Sequence, residues 1–460
     1  MRLIALPLLA LALIGAKADD GPATAAKLRD AALADNQAWE LVESLTTEIG
    51  PRLAGTDREA QARAWGVAKL KALGFQNVRV EPFELPVWVR GDERAFVVGA
   101  HAQPLAITAL GRSGATPAAG IEAEIVHFAS TEALEAAPAE QVRGKIAFVT
   151  HAMQRTQDGS SYGYFGSVRR SAPSIGASKG AVAVLIRSLG TDYHRNPHTG
   201  GTSWAAGQQP IPAAALSLPD SDQLERLLKL GKPVRVKLVM TPQFVGSGQS
   251  GNVIGEIVGS EAPDEFVVIG GHLDSWDLGT GAIDDGAGIA ITTAAAKVIM
   301  DSKQRPRRTI RVVMWGAEEV GLIGGAAYAK AHAGDKTVMA AESDFGAGRV
   351  WKFGYRVADG AKPLMATIAR VLSPLGITHD TGNTNRGGPD IGALASIGVP
   401  TLAPEQDGSD YFDLHHTPDD TLDKIDPKAL DQNVAAYAAM TWLVADSDVA
   451  LGPVAAGPAR

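Results

Sequence analysis

The sequence predicts an α/β fold: a mixed, mostly parallel sheet flanked by helices, interrupted by a β-rich insertion. Three observations predict it. From Ser250 onward, near-continuous apolar runs alternate with amphipathic segments of helical length, the pattern of a sheet buried on both faces. Between about Ala106 and Met240 the texture changes to short strand-like runs separated by Gly, Ser and Pro clusters, with little long helix. The chain has 460 residues, 45% hydrophobic and 20% charged, which suits a globular protein of two domains.

Taken in order, residues 1–18 read as a signal peptide. Arg2 precedes an apolar run from Leu3 to Ile14, and Ala16-Lys17-Ala18 fits the small-x-small cleavage rule. The run is shorter than the ~20 apolar residues that span a bilayer, so the expectation is export and release, with no membrane anchor after cleavage. Ala25 to Ile49 and Asp57 to Leu73 carry helical spacing, and "LGFQNVRVEPFEL" alternates as a strand does. The insertion follows, with "AEIVHF", "GKIAFVT" and "AVAVLIRS" as its strands. The alternating block then reads "EFVVIGG" (strand), "GAGIAITTAAAKVIM" (helix), "RRTIRVVMWG" (strand), "GLIGGAAYAKAHA" (helix) and "KTVMAAESD" (strand). It closes with "AKPLMATIARVL" (helix), "VPTLAPE" (strand) and "PKALDQNVAAYAAMTWLVA" (helix). The expected division is 19–104 and 246–460 for the main domain and 105–245 for the insertion. No fixed-period repeat suggests a solenoid.

Composition excludes several partners and chemistries. The formal charge is −8, and losing Arg2 and Lys17 with the signal takes it to −10. No basic tract is left to neutralise phosphates, so nucleic acid is not an expected partner. The chain contains no Cys, which rules out disulfides and thiolate ligands and leaves His, Asp and Glu to hold any metal. An exported protein without disulfides suits a bacterial periplasm.

The chemistry concentrates in "GGHLDSWDLGTGAIDDGAGIA", Gly270 to Ala290. His272 follows the first strand of the alternating block, Glu318 and Glu319 the second, and Asp344 ends the third. Ligands of such sheets bind at the carboxyl ends of the strands, so these residues converge on one edge. With His416 of "DLHHTPDDT", they make a set of two imidazoles and three carboxylates: His272, Asp284, Glu319, Asp344 and His416. Such a set suits two Zn²⁺ ions, each with one His and one terminal carboxylate, sharing a third carboxylate. Asp284, set among glycines before a helix, is the expected bridge. Ions so bridged lie roughly 3.5 to 4 Å apart and activate water near neutral pH.

Glu318 cannot point the same way as Glu319, so it can face the water and act as general base. Asp274, two residues after His272, is placed to accept the other imidazole N–H. Asp277 and Asp285 are expected to hold turns. His415 competes with His416, with the following "TPDD" favouring the second. His101, His127, His151, His194, His198, His332 and His379 have no such setting and read as structural or solvated.

The motifs "GGHLDSWD…GAIDDGAG…GAEEVGLIGG…ESDFG…HHTPDD" resemble those of the co-catalytic di-zinc aminopeptidases and glutamate carboxypeptidases. "ESD" and "GGPDI", Gly387 to Ile391, point to the plasma glutamate carboxypeptidase branch. The stretch "GKIAFVT…GASKGAVAVLI" is similar to a protease-associated domain. The resemblance implies an aminopeptidase-like fold, two zinc ions on the five residues above, Glu318 as base and a cis peptide between Asp284 and Asp285. It implies an exopeptidase acting on dipeptides or short peptides with a free amino end, and it allows a homodimer. Two other outcomes on the same fold are a glutaminyl cyclase-like transferase and an inactive binding protein. No propeptide is visible beyond Asp19 to Ala23.

Overall fold

The computed structural model describes residues 20–456, so the signal segment lies outside the described residues. An eight-stranded main sheet has the spatial order Gln76–Val89, Gln243–Ile257, Arg308–Trp315, Ala262–His272, Lys336–Glu342, Thr401–Gln406, Val350–Arg356, Thr378–His379. Its centre, from Arg308–Trp315 to Thr401–Gln406, is parallel, and antiparallel neighbours flank it. Three of its strands were not read as strands: Val350–Arg356, Thr378–His379 and Gln243–Ile257. They lie at or near the sheet margins, where one-sided burial blurs the apolar run.

Both faces of the sheet are covered. Val267 and Ile269 point into a core shared with helices Gly21–Ala34, Ala287–Asp301 and Pro427–Ala445. Val268, between them, points to the opposite face and packs with Val313, Tyr328 of helix Ile323–Ala331, and Leu394. This period of two, with both faces covered, explains the continuous apolar runs Val267–Ile269 and Val312–Trp315 in the central strands. The helix starting at Ala287 is buried throughout its first ten residues, which accounts for the lack of a polar stripe in "AGIAITTAAA".

Local signals set several helix ends. The Thr56 hydroxyl accepts from the Glu59 amide (3.4 Å) to start helix Asp57–Leu73, and Gly74 at φ +94° ends it. Asp426 caps helix Pro427–Ala445 by accepting from the Lys428 amide (2.9 Å). No helix among the described residues is long and apolar enough to cross a membrane.

A second eight-stranded sheet is built from strands lying between Glu93 and Met240. It starts before the expected boundary at 105, because Glu93–Val98 and Gln103–Leu105 already belong to it. Their alternation is indistinguishable in sequence from that of the preceding main-sheet strand. This unit also carries more helix than its texture suggested, in Ser167–Ser178 and Leu218–Leu228. Pro173 inside the first and Pro219 at the start of the second disguise both.

Candidate metal centre

The loops at the carboxyl ends of the central strands bring the five residues together. His272 ends its strand, and Asp284 sits in an irregular turn whose φ of −127° and ψ of 88° lie off the helix that follows. The Asp284–Asp285 peptide is cis. His272 Nε2 lies 3.1 Å from Asp284 Oδ1 and 3.6 Å from Asp344 Oδ1. His416 Nε2 lies 3.1 Å from Asp284 Oδ2 and 3.0 Å from Glu319 Oε2. Asp284 thus stands between two pairs, one oxygen toward each imidazole.

These groups fit a metal. Two donors each about 2.0–2.1 Å from one tetrahedral zinc lie roughly 3.3 Å apart, and the separations above straddle that value. Asp284 Oδ2 and Glu319 Oε1 are buried and accept no hydrogen bond, a costly arrangement unless a cation compensates. The two imidazoles are also oriented for coordination. His272 Nδ1 donates to the Asp274 main-chain carbonyl (2.9 Å), whereas His416 Nδ1 lies 3.0 Å from a terminal nitrogen of Arg169 and 3.2 Å from the Thr199 carbonyl. The Asp274 carbonyl fixes the proton of His272 on Nδ1 and leaves its Nε2 lone pair facing the carboxylates.

Asp274 reaches His272 through its carbonyl rather than through its carboxylate, whose Oδ1 is 3.8 Å from the ring. The carboxylate instead accepts from the main-chain amides of Glu318 (3.0 Å) and Glu319 (3.3 Å). A two-residue spacing folds the carbonyl under the imidazole and sends the side chain to the neighbouring strand end. Asp285 is occupied in the same way, accepting from the amides of His272 (2.9 Å) and Gly288 (3.0 Å). Asp277 pairs with Arg90.

Glu318 is partly exposed and lines a cleft of about 920 Å³ together with Asp284, Glu319, Asp344 and His416. Burial, Asp344 and Glu319 hold its carboxyl well above the ordinary range, against the opposing pull of His272. Burial and Asp344 also push Glu342 up to about 8.

Several contributors escaped the sequence reading. His198 is buried beside His415, with ring nitrogens 3.4 Å apart, and its ring centroid lies 4.7 Å from that of His416. The Tyr411 hydroxyl donates to Asp284 Oδ1 (3.1 Å). Buried Arg52 donates to the carbonyls of Thr280 and Gly281 (both 2.8 Å), clamping the loop between His272 and Asp284. Of these, only "YFDLHH" carried a local hint, since Tyr411 precedes the His pair by one helical turn; His198 and Arg52 arrive through tertiary contacts.

Known proteins agree with this architecture. The model of peptidase family M28 matches residues 252–441. Carboxypeptidase Q of Mus musculus is 33% identical over 415 residues, covering 90% of this chain and 86% of that protein. The crystal structure of a peptidase M28 precursor from Shewanella amazonensis SB2B is similar with a TM-score of 0.93 and 48% identity, covering 95% of this chain and 99% of that one. A zinc aminopeptidase from Bacillus subtilis shares the fold at a TM-score of 0.63 and 19% identity, covering 89% of this chain and 97% of that one. A chain so alike in sequence along nine-tenths of its length, with an acid and imidazole cluster at the strand ends, belongs to peptidase family M28 and is a metallo-exopeptidase.

Proposed function

We propose that this exopeptidase is exported and hydrolyses dipeptides or short peptides that have a free amino end, using two zinc ions. The observation that carries this reading is Asp284, whose two oxygens each lie 3.1 Å from a different imidazole. His272 and Asp344 would hold one zinc, His416 and Glu319 the other, and Asp284 both. Bound there, zinc supplies Lewis acidity, polarising the scissile carbonyl and lowering the pKa of water.

The remaining work falls to the chain itself. Glu318 takes the proton of the attacking water and delivers it to the leaving amine from its place in the cleft beside Glu319 and Asp344. Asp274 holds the Glu318 and Glu319 main chain from one carboxylate, so base and ligand keep a fixed relation. Tyr411 steadies Asp284 from the cleft side. The second sheet, read as a protease-associated-like insertion, supplies the opposite wall, and the leading segment 1–18 directs the chain to a periplasm or the medium.

The test is a pair of dipeptides and a metal analysis. Ala-Ala should be cleaved and acetyl-Ala-Ala should not, and active protein should contain two zinc ions per chain and lose activity to a chelator. Equal cleavage of both peptides, or full activity with one ion, refutes the reading. A cyclase would instead release ammonia from an amino-terminal glutamine, and a binding protein would turn over neither peptide.

A further inference from the structure

The cleft has two walls of opposite charge. Its floor carries the carboxylates described above, whereas the facing wall, contributed by the second unit, presents Arg112, Arg169 and Arg170. Among the described residues no carboxylate lies within ion-pair distance of any of these three. Other arginines of the same unit do have one: Arg90 has Asp277, Arg155 has Asp413, and Arg195 has Asp220.

Each of the three is also held in place. Arg169 is buried, its Nε has no hydrogen-bond partner, and one terminal nitrogen donates to the Thr199 carbonyl (3.0 Å) and lies 3.0 Å from His416 Nδ1, so it braces the metal-centre side of the cleft. It lies against Gly200, at φ +132°, where a Cβ would come within 1.6 Å of the guanidinium. Arg170, the next residue on helix Ser167–Ser178, donates to the Gly163 carbonyl (3.2 Å). Arg112 sits at φ +67°, a conformation that non-glycine residues rarely take, and its carbonyl accepts from the Trp204 indole (2.8 Å). Adjacent guanidinium groups drawn partly out of water are unfavourable unless an anion joins them.

We infer that Arg170 and Arg112, backed by Arg169, form the subsite for the α-carboxylate of a short peptide. The inference rests on the peptidase reading above and adds its other end. A peptide free at both ends presents an ammonium to the acidic floor and a carboxylate to the arginine wall, and the planar guanidinium fork matches a carboxylate. The distance between the walls then measures the substrate, which favours dipeptides and tripeptides over long chains.

Three peptides test it: Ala-Ala, Ala-Ala-amide and Ala-Glu-amide, the last carrying its only carboxylate on a side chain. The wild-type protein should prefer Ala-Ala over Ala-Ala-amide by about 10- to 100-fold in kcat/KM, the worth of a charge-assisted pair, and the difference should lie mainly in KM. In the Arg112→Met, Arg170→Met double variant this preference should fall to within about threefold, and Arg170→Lys should keep part of it. Zinc content and the thermal midpoint of each variant report its folding, and the wild-type comparison does not depend on any variant. Equal wild-type rates on Ala-Ala and its amide overturn the subsite. So does a preference that survives the double variant, or Ala-Glu-amide cleaved as well as Ala-Ala, which would assign the arginines to a substrate side chain. Hydrolysis of none of the three by zinc-loaded protein overturns the peptidase reading and the subsite with it.

Discussion

Glu318→Gln and Glu319→Gln are chemically identical changes at adjacent residues, yet the structure assigns them different consequences. Asp274 holds both main-chain amides, at 3.0 and 3.3 Å, so neither change should move the backbone. Glu318 accepts no contact from either imidazole, whereas Glu319 Oε2 lies 3.0 Å from His416 Nε2. Glu318→Gln removes a positioned base, worth about 10²- to 10⁴-fold in turnover, or roughly 3 to 5 kcal/mol of barrier. Zinc content should stay unchanged. Glu319→Gln removes one of the three carboxylates facing the imidazoles. On the proposed two-zinc reading, the donor set thereby loses a third of its negative charge, and affinity at the His416 side should fall by at least ~10-fold. Excess zinc should restore part of that rate and none of the loss in Glu318→Gln. The assay is kcat on Ala-Ala together with elemental analysis after dialysis against a weak chelator. Zinc lost from Glu318→Gln and retained by Glu319→Gln would exchange the two roles and refute the assignment.

Two further outcomes follow from the packing around the site. Gly288→Ala would put a Cβ 1.9 Å from the Ser343 carbonyl and 2.4 Å from both Asp285 oxygens. Helix Ala287–Asp301 must then shift by about an ångström, a displacement that costs roughly 10²-fold in rate; near wild-type kcat/KM on Ala-Ala would show that the turn tolerates it. Glu59 is mostly buried, with Ser250 and Arg63 as partners, and burial pushes its pKa up to about 7. The folded state thus keeps a proton that the unfolded chain releases near pH 4.5, so stability falls as pH rises from about 4.5 to 7 and is level beyond. Glu59→Gln should remove that fall, gaining about 2 to 4 kcal/mol at pH 8 relative to pH 4.5; urea midpoints that differ from wild type by the same amount at both pH values would contradict the protonation argument.

The central strands and the long helices were legible because burial on both faces leaves no polar interruption between Phe266 and Gly271 or between Val312 and Trp315. The five clustered residues were legible for a topological reason: each follows a strand or a short turn at one edge, and parallel strands bring those ends together. Asp274 does accept the other imidazole N–H of His272, through its carbonyl (2.9 Å), an atom that sequence spacing does not single out. What failed depended on distance in sequence. His198 read as structural or solvated because "TDYHRNPHTGG" has no period, and its partner His415 lies 217 residues away. Arg169 and Arg170 carried no signal in the sequence. Only the assembled fold shows that they face a cleft without an acid of their own.

The paired strands Gln76–Val89 and Gln243–Ile257 set Val89 directly opposite Gln243. In an antiparallel ladder such residues are about 4.5 to 5.5 Å apart, a gap that a two-residue turn closes. Everything from 90 to 242 is thus, topologically, one long loop on a two-stranded stem. Replacing it would leave the strand order of the main sheet intact and would take away Thr199 and Arg169, the contacts with His416 that it lends the site.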